Sequence, residues 1–417
     1  MNAAVVMSAK HRIVWVVGLM WVAYFLNYCD RQAVFAMFKV LKSDLAMTDT
    51  QLGLTGAVFL WVYGLGCPIA GQIADKISKR WLVVGSLVLW SLVTFATGWA
   101  SSASMLLGLR AAMGISEALF MPAAIALTAS TAAPHERSRA IAILTTAQIA
   151  GTVGGAWFGG WMAEQGVWRY AFFALGLAGV LYAVPYAWLL ARTVEEPSPS
   201  TEVTSKSWAI LKLTSIPTFL VLCGVFSVFV FGLWMLYSWL PNYVEGKFSL
   251  SMSQAALTAT ASMQTATLVG LLAGGVMADK LAVRHRSARL WILVASLACC
   301  APCMHWIGAA SSLWGTIAGM VGFGLCSGWM IGNIFPAAFE VLPSDSRATA
   351  VGTLNFCGAM LSGFAPLIVG SWKQSIGIPT LFSATAVAYL IAGSVLSLAV
   401  LYLFPKDANR SASLDWR

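Results

Sequence analysis

The chain has little charge. Asp, Glu, Lys and Arg together make up only 10% of its 417 residues, while 59% are hydrophobic. A soluble domain carries about 25% charged residues, so too few are present to cover a water-facing surface of this size. The apolar residues form long blocks rather than alternating along the chain. That excludes the transmembrane β-barrel class, which is built on alternating segments of about 10 residues. No Gly-x4-Gly-Lys-Ser/Thr stretch is present, so nothing in the sequence points to nucleotide-driven work. The eight cysteines are scattered through apolar blocks, which argues against a disulfide framework.

What is present is long and apolar. A helix needs about 20 apolar residues to cross a bilayer, and in lipid its backbone groups must be satisfied internally. An all-α membrane protein follows. Hydropathy and the charged or turn-rich boundaries predict twelve spans, at roughly 12–38, 53–75, 81–101, 104–130, 139–163, 168–191, 216–241, 251–279, 289–308, 311–342, 347–372 and 378–404. The first follows Lys10, His11 and Arg12. It is too long for the core of a signal peptide and no small-residue cleavage site follows it, so we expect it to be retained. With both termini inside, Lys39, Lys42, Arg169, Lys247 and Lys373 fall outside, Arg31 and Arg110 fall within spans, and the rest of the 25 Lys and Arg fall inside. This bias predicts a multi-pass protein of the cell inner membrane with cytoplasmic termini. The net charge of +9 is then topology, not a nucleic-acid footprint, and most of the 19 Trp are read as interfacial anchors.

The longest polar interruption, 192–215, contains Glu195, Glu196, Pro197, Ser198, Pro199, Ser200 and Thr201. Its composition is that of a cytoplasmic linker. It divides the chain into 1–191 and 216–417, each with six spans. The halves repeat one another. Gly71-Gln72-Ile73-Ala74-Asp75-Lys76 ends span two, and Gly275-Val276-Met277-Ala278-Asp279-Lys280 ends span eight. Phe120-Met121-Pro122-Ala123-Ala124 leads to Ser138-Arg139-Ala140, and Phe335-Pro336-Ala337-Ala338 leads to Ser346-Arg347-Ala348. Two six-helix bundles related by a pseudo-two-fold axis along the membrane normal are expected, with a substrate site near the midplane. Each chain holds both halves of such a site, so we expect a monomer.

Ionisable residues inside spans are costly and are functional candidates by default. Span one ends on Asn27-Tyr28-Cys29-Asp30-Arg31, and Tyr24, Asn27 and Arg31 share one of its faces. Span four carries Arg110 and Glu117, nearly two turns apart on one face. Arg31 keeps its charge and presents a fork matched to a carboxylate. Asp30 and Glu117 are candidates to bind and release protons as their surroundings change, with Arg110 as a partner. The competing reading is an internal ion-pair set that orients spans one and four.

The stretch from Gly71 to Arg80 resembles the loop signature of the major facilitator superfamily, with Ser78 in place of the usual second glycine. That resemblance covers the whole chain in span count and linker position. It implies a cytoplasmic latch of Gly71, Asp75, Lys76 and Arg80 that opens and closes during transport, with Arg139 as a partner for Asp75 and Asp279 as the repeat equivalent. A static clamp is the alternative. Asn27-Tyr28-x-Asp30-Arg31, Arg110 with Glu117, and Ser238-Trp239-Leu240-Pro241-Asn242-Tyr243 are similar to the anion:cation symporter family. This implies that Arg31 and Tyr28 contact an organic anion, such as a sugar acid, and that Asp30 and Glu117 carry protons. Cys29 and the Ser116-Glu117-Ala118 context depart from that family's pattern. The spinster family of lipid-like cargo carriers shares the Asn-Tyr-x-Asp-Arg run and the Arg-to-Glu spacing, and is the second choice.

Polar residues inside other spans complete the candidate set. They are Gln148 in the glycine-rich span five, and Tyr237, Gln264, Asn333 and Asn355 in the second half. They could bond substrate hydroxyls or neighbouring helices. Cys299, Cys300, Cys303 and His305 cluster in span nine, but cysteine is also at home as a small apolar residue, so no metal is expected. The expectation is therefore a non-enzymatic carrier that imports a small organic anion with protons, with no cofactor beyond the coupling ion. A membrane-embedded enzyme would need a nucleophile–base pair or a metal set inside spans. A receptor would not need buried Asp, Arg and Glu.

Overall fold

The computed structural model describes residues 9–120, 123–124, 127–128, 137–193, 213–342 and 346–414. Among these the regular structure is helical throughout. In chain order the helices are α1 (Ala9–Ala36), α2 (Phe38–Asp44), α3 (Asp49–Lys76), α4 (Lys79–Thr97), α5 (Ala103–Ala118), α6 (Arg137–Glu164), α7 (Trp168–Thr193), α8 (Pro217–Phe248), α9 (Met252–Ala282), α10 (Ala288–Ala309), α11 (Leu313–Phe339), α12 (Arg347–Ser362), α13 (Phe364–Trp372), α14 (Ile378–Tyr402) and α15 (Phe404–Leu414). By length and composition, 10 spans among the described residues can cross a membrane, with Thr349–Trp372 taken as one. Helices α5 and α6 stand where the fourth and fifth spans are expected.

Serines start several of these helices. Ser78, Ser102 and Ser312 accept from the backbone N–H groups of Trp81, Met105 and Gly315, and Ser251 forms a capping box with Gln254. Each satisfies a donor that the first helical turn leaves open.

Two compact units emerge. One holds residues 1–47 and 65–202, the other 48–64 and 203–417. Of the linker expected over 192–215, residues 194–212 lie outside the described residues. In the first unit, α6 lies directly against α1. A Cβ added at Gly151, Gly155 or Gly159 would strike the backbone of Phe25, Cys29 or Ala33 respectively. Glycine every fourth residue meets every fourth residue of the partner, the close-approach pattern of membrane helices. In the second unit, the start of α3 packs on α13. Gly53 abuts the Pro366 carbonyl and Gly370 abuts the carbonyl of Asp49.

Two boundaries differ from the expectation. The seventh span does not stop at 241, because α8 continues through Pro241 to Phe248. The eleventh is two helices, α12 and α13, separated at Gly363. Pro366 has no N–H to offer the carbonyl four residues back. The Trp61 ring lies against Gly363, and its Nε1 donates to Met360 O at 3.1 Å.

Candidate functional site

The first unit holds a cluster of charge with no access to water. Asn27 is 0% exposed, Asp30 1%, Arg31 4%, Arg110 2% and Glu117 0%. Helix α1 contributes the first three and α5 the last two. Arg31 Nε donates to Glu117 Oε2 in a buried ion pair. The Arg31 guanidinium also lies over the Tyr28 ring, 4.9 Å from its centre. Arg110 interacts electrostatically with Glu117 and Asp30. It donates to Met113 Sδ at 3.0 Å and lies 5.8 Å from the centre of the Phe35 ring.

The sequence set Arg110 on one face with Glu117. Seven residues on a helix separate them by about 10 Å of rise, and Glu117 instead pairs with Arg31 of α1 across the helix interface. Two acids and two arginines leave the cluster formally neutral when all four are ionised. Adding one proton to either acid would leave one positive charge unmatched. A buried unmatched charge is strongly unfavourable.

Two features of the cluster were not legible. Thr94 of α4 is fully buried beside Asp30. A lone threonine in an apolar span gives no sequence signal, because it commonly bonds its own helix. Ser86 of α4 donates to the backbone carbonyl of Ser116 at 2.5 Å, which fixes α5 one residue before Glu117. The Ser116 hydroxyl itself donates to Met113 O at 2.9 Å. Tyr24, one helical turn from Asn27, is buried with its ring centre 5.3 Å from that of Phe120. Gln148 is half-buried on α6.

In the second unit, Gln264 Nε2 donates to Tyr237 Oη at 3.2 Å, joining α9 to α8. Asn333 and Asn355 donate to Trp329 O and Val351 O, each four residues back on its own helix. Asn333 is buried and Asn355 exposed. The structure thus brings Tyr237 and Gln264 together, while the two asparagines spend a donor locally.

For the latch residues, the side chains of Gly71, Asp75, Lys76 and Arg139 lie outside the described residues. The Arg80 guanidinium is 5.2 Å from the centre of the Trp81 ring. Asp279 accepts from Arg289 Nη2 at 2.8 Å, and Arg289 Nη1 donates to Glu340 Oε1 at 3.3 Å. One arginine at the start of α10 therefore ties the end of α9 to the end of α11. No group of three or more His, Cys, Asp or Glu able to hold a metal occurs among the described residues.

Ten helical spans long and apolar enough to cross a bilayer, among the described residues, define the class of polytopic α-helical membrane proteins. Residues 20–366 match the sequence profile of the Major Facilitator Superfamily, and the chain belongs to that family. It is a transporter, not an enzyme. Among similar proteins is an "MFS-type efflux pump" of Mycolicibacterium smegmatis, 26% identical over 86% of this chain and 84% of its own length. The "D-galactonate transporter" of Escherichia coli O6:H1 is 24% identical over 91% of this chain and 94% of its own. A bacterial homologue of the human lysosomal transporter Spinster superposes with a TM-score of 0.81 at 20% identity, covering 95% of this chain and 98% of that one. At that identity the likeness is one of fold.

Proposed function

We propose that this transporter moves a small organic anion, of the sugar-acid or related carboxylate class, together with protons across the cell inner membrane by alternating access. The observation that carries the reading is the buried ion pair of Arg31 with Glu117, set beside a second acid and a second arginine. A carboxylate substrate can take the place of Glu117 on the Arg31 fork once Glu117 is protonated. The proton and the anion then enter together, because each alone would leave a buried charge unmatched. Asp30, with Thr94 and Arg110 around it, supplies a second site for a proton. The Tyr28 ring borders the Arg31 fork. The name of the galactonate transporter agrees with this substrate class.

The test is uptake into proteoliposomes under an imposed pH gradient, screening hexuronates, aldonates, small carboxylates and lysophospholipids. Gradient-driven accumulation of a sugar acid, abolished in Arg31→Ala, is the expected result. Glu117→Gln is expected to exchange substrate while no longer accumulating it. Unchanged pH-driven accumulation by Glu117→Gln overturns the coupling role. Transport of a lysolipid alone assigns the cargo to the Spinster-like class. Expulsion of the anion against an inward proton gradient reverses the direction.

A further inference from the structure

The last helix, α15, is amphipathic and docked. Phe404 and Ala408 are buried, while Pro405, Lys406 and Asn409 are exposed. Asp407 Oδ2 accepts from the backbone N–H of Thr218 at 2.9 Å, capping the start of α8. Arg286 Nη2 donates to the carbonyl of Ala408 at 3.1 Å. These contacts hold α15 beside the loop between α9 and α10 and leave an open cavity of about 370 Å³ between them. Arg284, His285 and Arg286 form one wall; Val400, Phe404 and Pro405 form the other.

The wall chemistry is divided. One side presents two permanent positive charges, and among the described residues no carboxylate lines the cavity. Asp407 accepts from the Thr218 N–H, and Glu340 is bonded to Arg289 while also interacting with Arg286. The other side is apolar, and next to Val400 on α14 the apolar side chains of Leu401 and Tyr402 are 56% and 66% exposed. Val283, which precedes the basic run, is 87% exposed. A cationic wall meeting an apolar rail matches a molecule with a phosphate at one end and an acyl chain at the other.

We propose that this cavity binds the headgroup of an anionic phospholipid, with the phosphate on Arg284 and Arg286 and an acyl chain along Leu401 and Tyr402. The Lys and Arg bias marks this face as cytoplasmic, where anionic lipids and basic membrane-edge segments attract one another. Bound lipid bridges the α9–α10 loop to α15, and so fastens the helix whose Asp407 caps α8. The site is separate from the Arg31–Glu117 cluster and does not depend on the identity of the transported substrate.

Thermal unfolding of the purified full chain in detergent provides the test, with titration by dioleoyl phosphatidylglycerol, dioleoyl phosphatidylcholine or inorganic phosphate. Phosphatidylglycerol is expected to raise the melting temperature at concentrations where phosphatidylcholine and phosphate do nothing. Arg284→Gln with Arg286→Gln should weaken the apparent affinity about thirtyfold, from about fivefold per basic residue. Replacement of both by lysine should keep it within a few-fold. Arg284→Gln alone, which leaves the Arg286–Ala408 bond in place, should cost about fivefold and keeps the test open if the double variant fails to fold. Equal stabilisation by both lipids overturns the proposal, as does an unchanged response in the glutamine variants. If inorganic phosphate reproduces the shift, the cavity takes a free anion and the lipid assignment falls.

Discussion

Lys373 Nζ lies 3.0 Å from Asp49 Oδ1, and the same ammonium sits 4.3 Å from the centre of the Trp239 ring. Gln374 Nε2 donates to the other oxygen of Asp49 at 2.6 Å, and Trp239 Nε1 donates to Pro366 O at 2.9 Å. Asp49 is 6% exposed, so this pair is more sheltered than a surface bridge. Asp49→Asn should therefore lower stability by about 2 kcal/mol, between the surface and buried limits. Lys373→Met in the same background should add less than it does alone. A double-mutant cycle from thermal melts checks this, with a coupling energy of about 1 kcal/mol or more expected.

The buried pair of the site makes a sharper comparison. Glu117→Ala removes a buried charged partner of Arg31, a loss of about 3–5 kcal/mol. Glu117→Gln keeps an oxygen acceptor for Arg31 Nε and should lose less. Chemical unfolding in mild detergent orders the two, and equal losses would show that the guanidinium finds another partner.

The glycine stripe of α6 supplies an internal control. A Cβ at Gly155 would meet the backbone of Cys29, whereas one at Gly154 would lie 3.4–3.9 Å from the Phe25 ring and the Cys29 sulfur. Gly155→Ala should cost at least about 1–3 kcal/mol through overpacking, and Gly154→Ala should be close to neutral. Melting temperatures of the two variants, measured side by side, decide it.

Asp44 accepts from Trp168 Nε1 at 2.9 Å and from Arg169 Nη1 at 3.3 Å. Trp168 is 1% exposed, while the Arg169 and Asp44 side chains are 39% and 41% exposed. Trp168→Phe should lose about 1 kcal/mol with the hydrogen bond. Arg169→Gln should lose less than about 0.5 kcal/mol, because water already competes for both charges. A larger effect of Arg169→Gln in melts at high salt would contradict this.

The helices were legible because apolar length is a one-dimensional signal. Their interruptions were not. Pro241 with Asn242 and Glu245 reads as a boundary, yet α8 runs on to Phe248. Gly363 lies inside an apolar run, and Trp61, far away in sequence, occupies the space beside it. At the site, residue types were informative: Asp30, Arg31, Arg110 and Glu117 stand out as charges in apolar segments, and all four are buried. Partnership was not. Arg31 and Glu117 are 86 residues apart in sequence, and only the packing of α1 against its neighbours brings them together. Spacing along α5 favoured the local partner, Arg110, while geometry gave Glu117 one on another helix. Asn333 and Asn355 look identical as polar residues within spans, but one is buried and the other exposed.

The balance of two acids against two arginines has an electrical consequence. A cluster that is neutral when empty, and neutral again when it holds one proton and one monovalent anion, carries no net charge in either form. With one proton moved per monovalent anion such a cycle passes no current. Membrane voltage would then neither drive nor oppose it, and the pH difference alone would set the limit, a tenfold concentration ratio of the anion for each unit. A divalent sugar acid moved with one proton would break that neutrality and make the same protein sensitive to voltage.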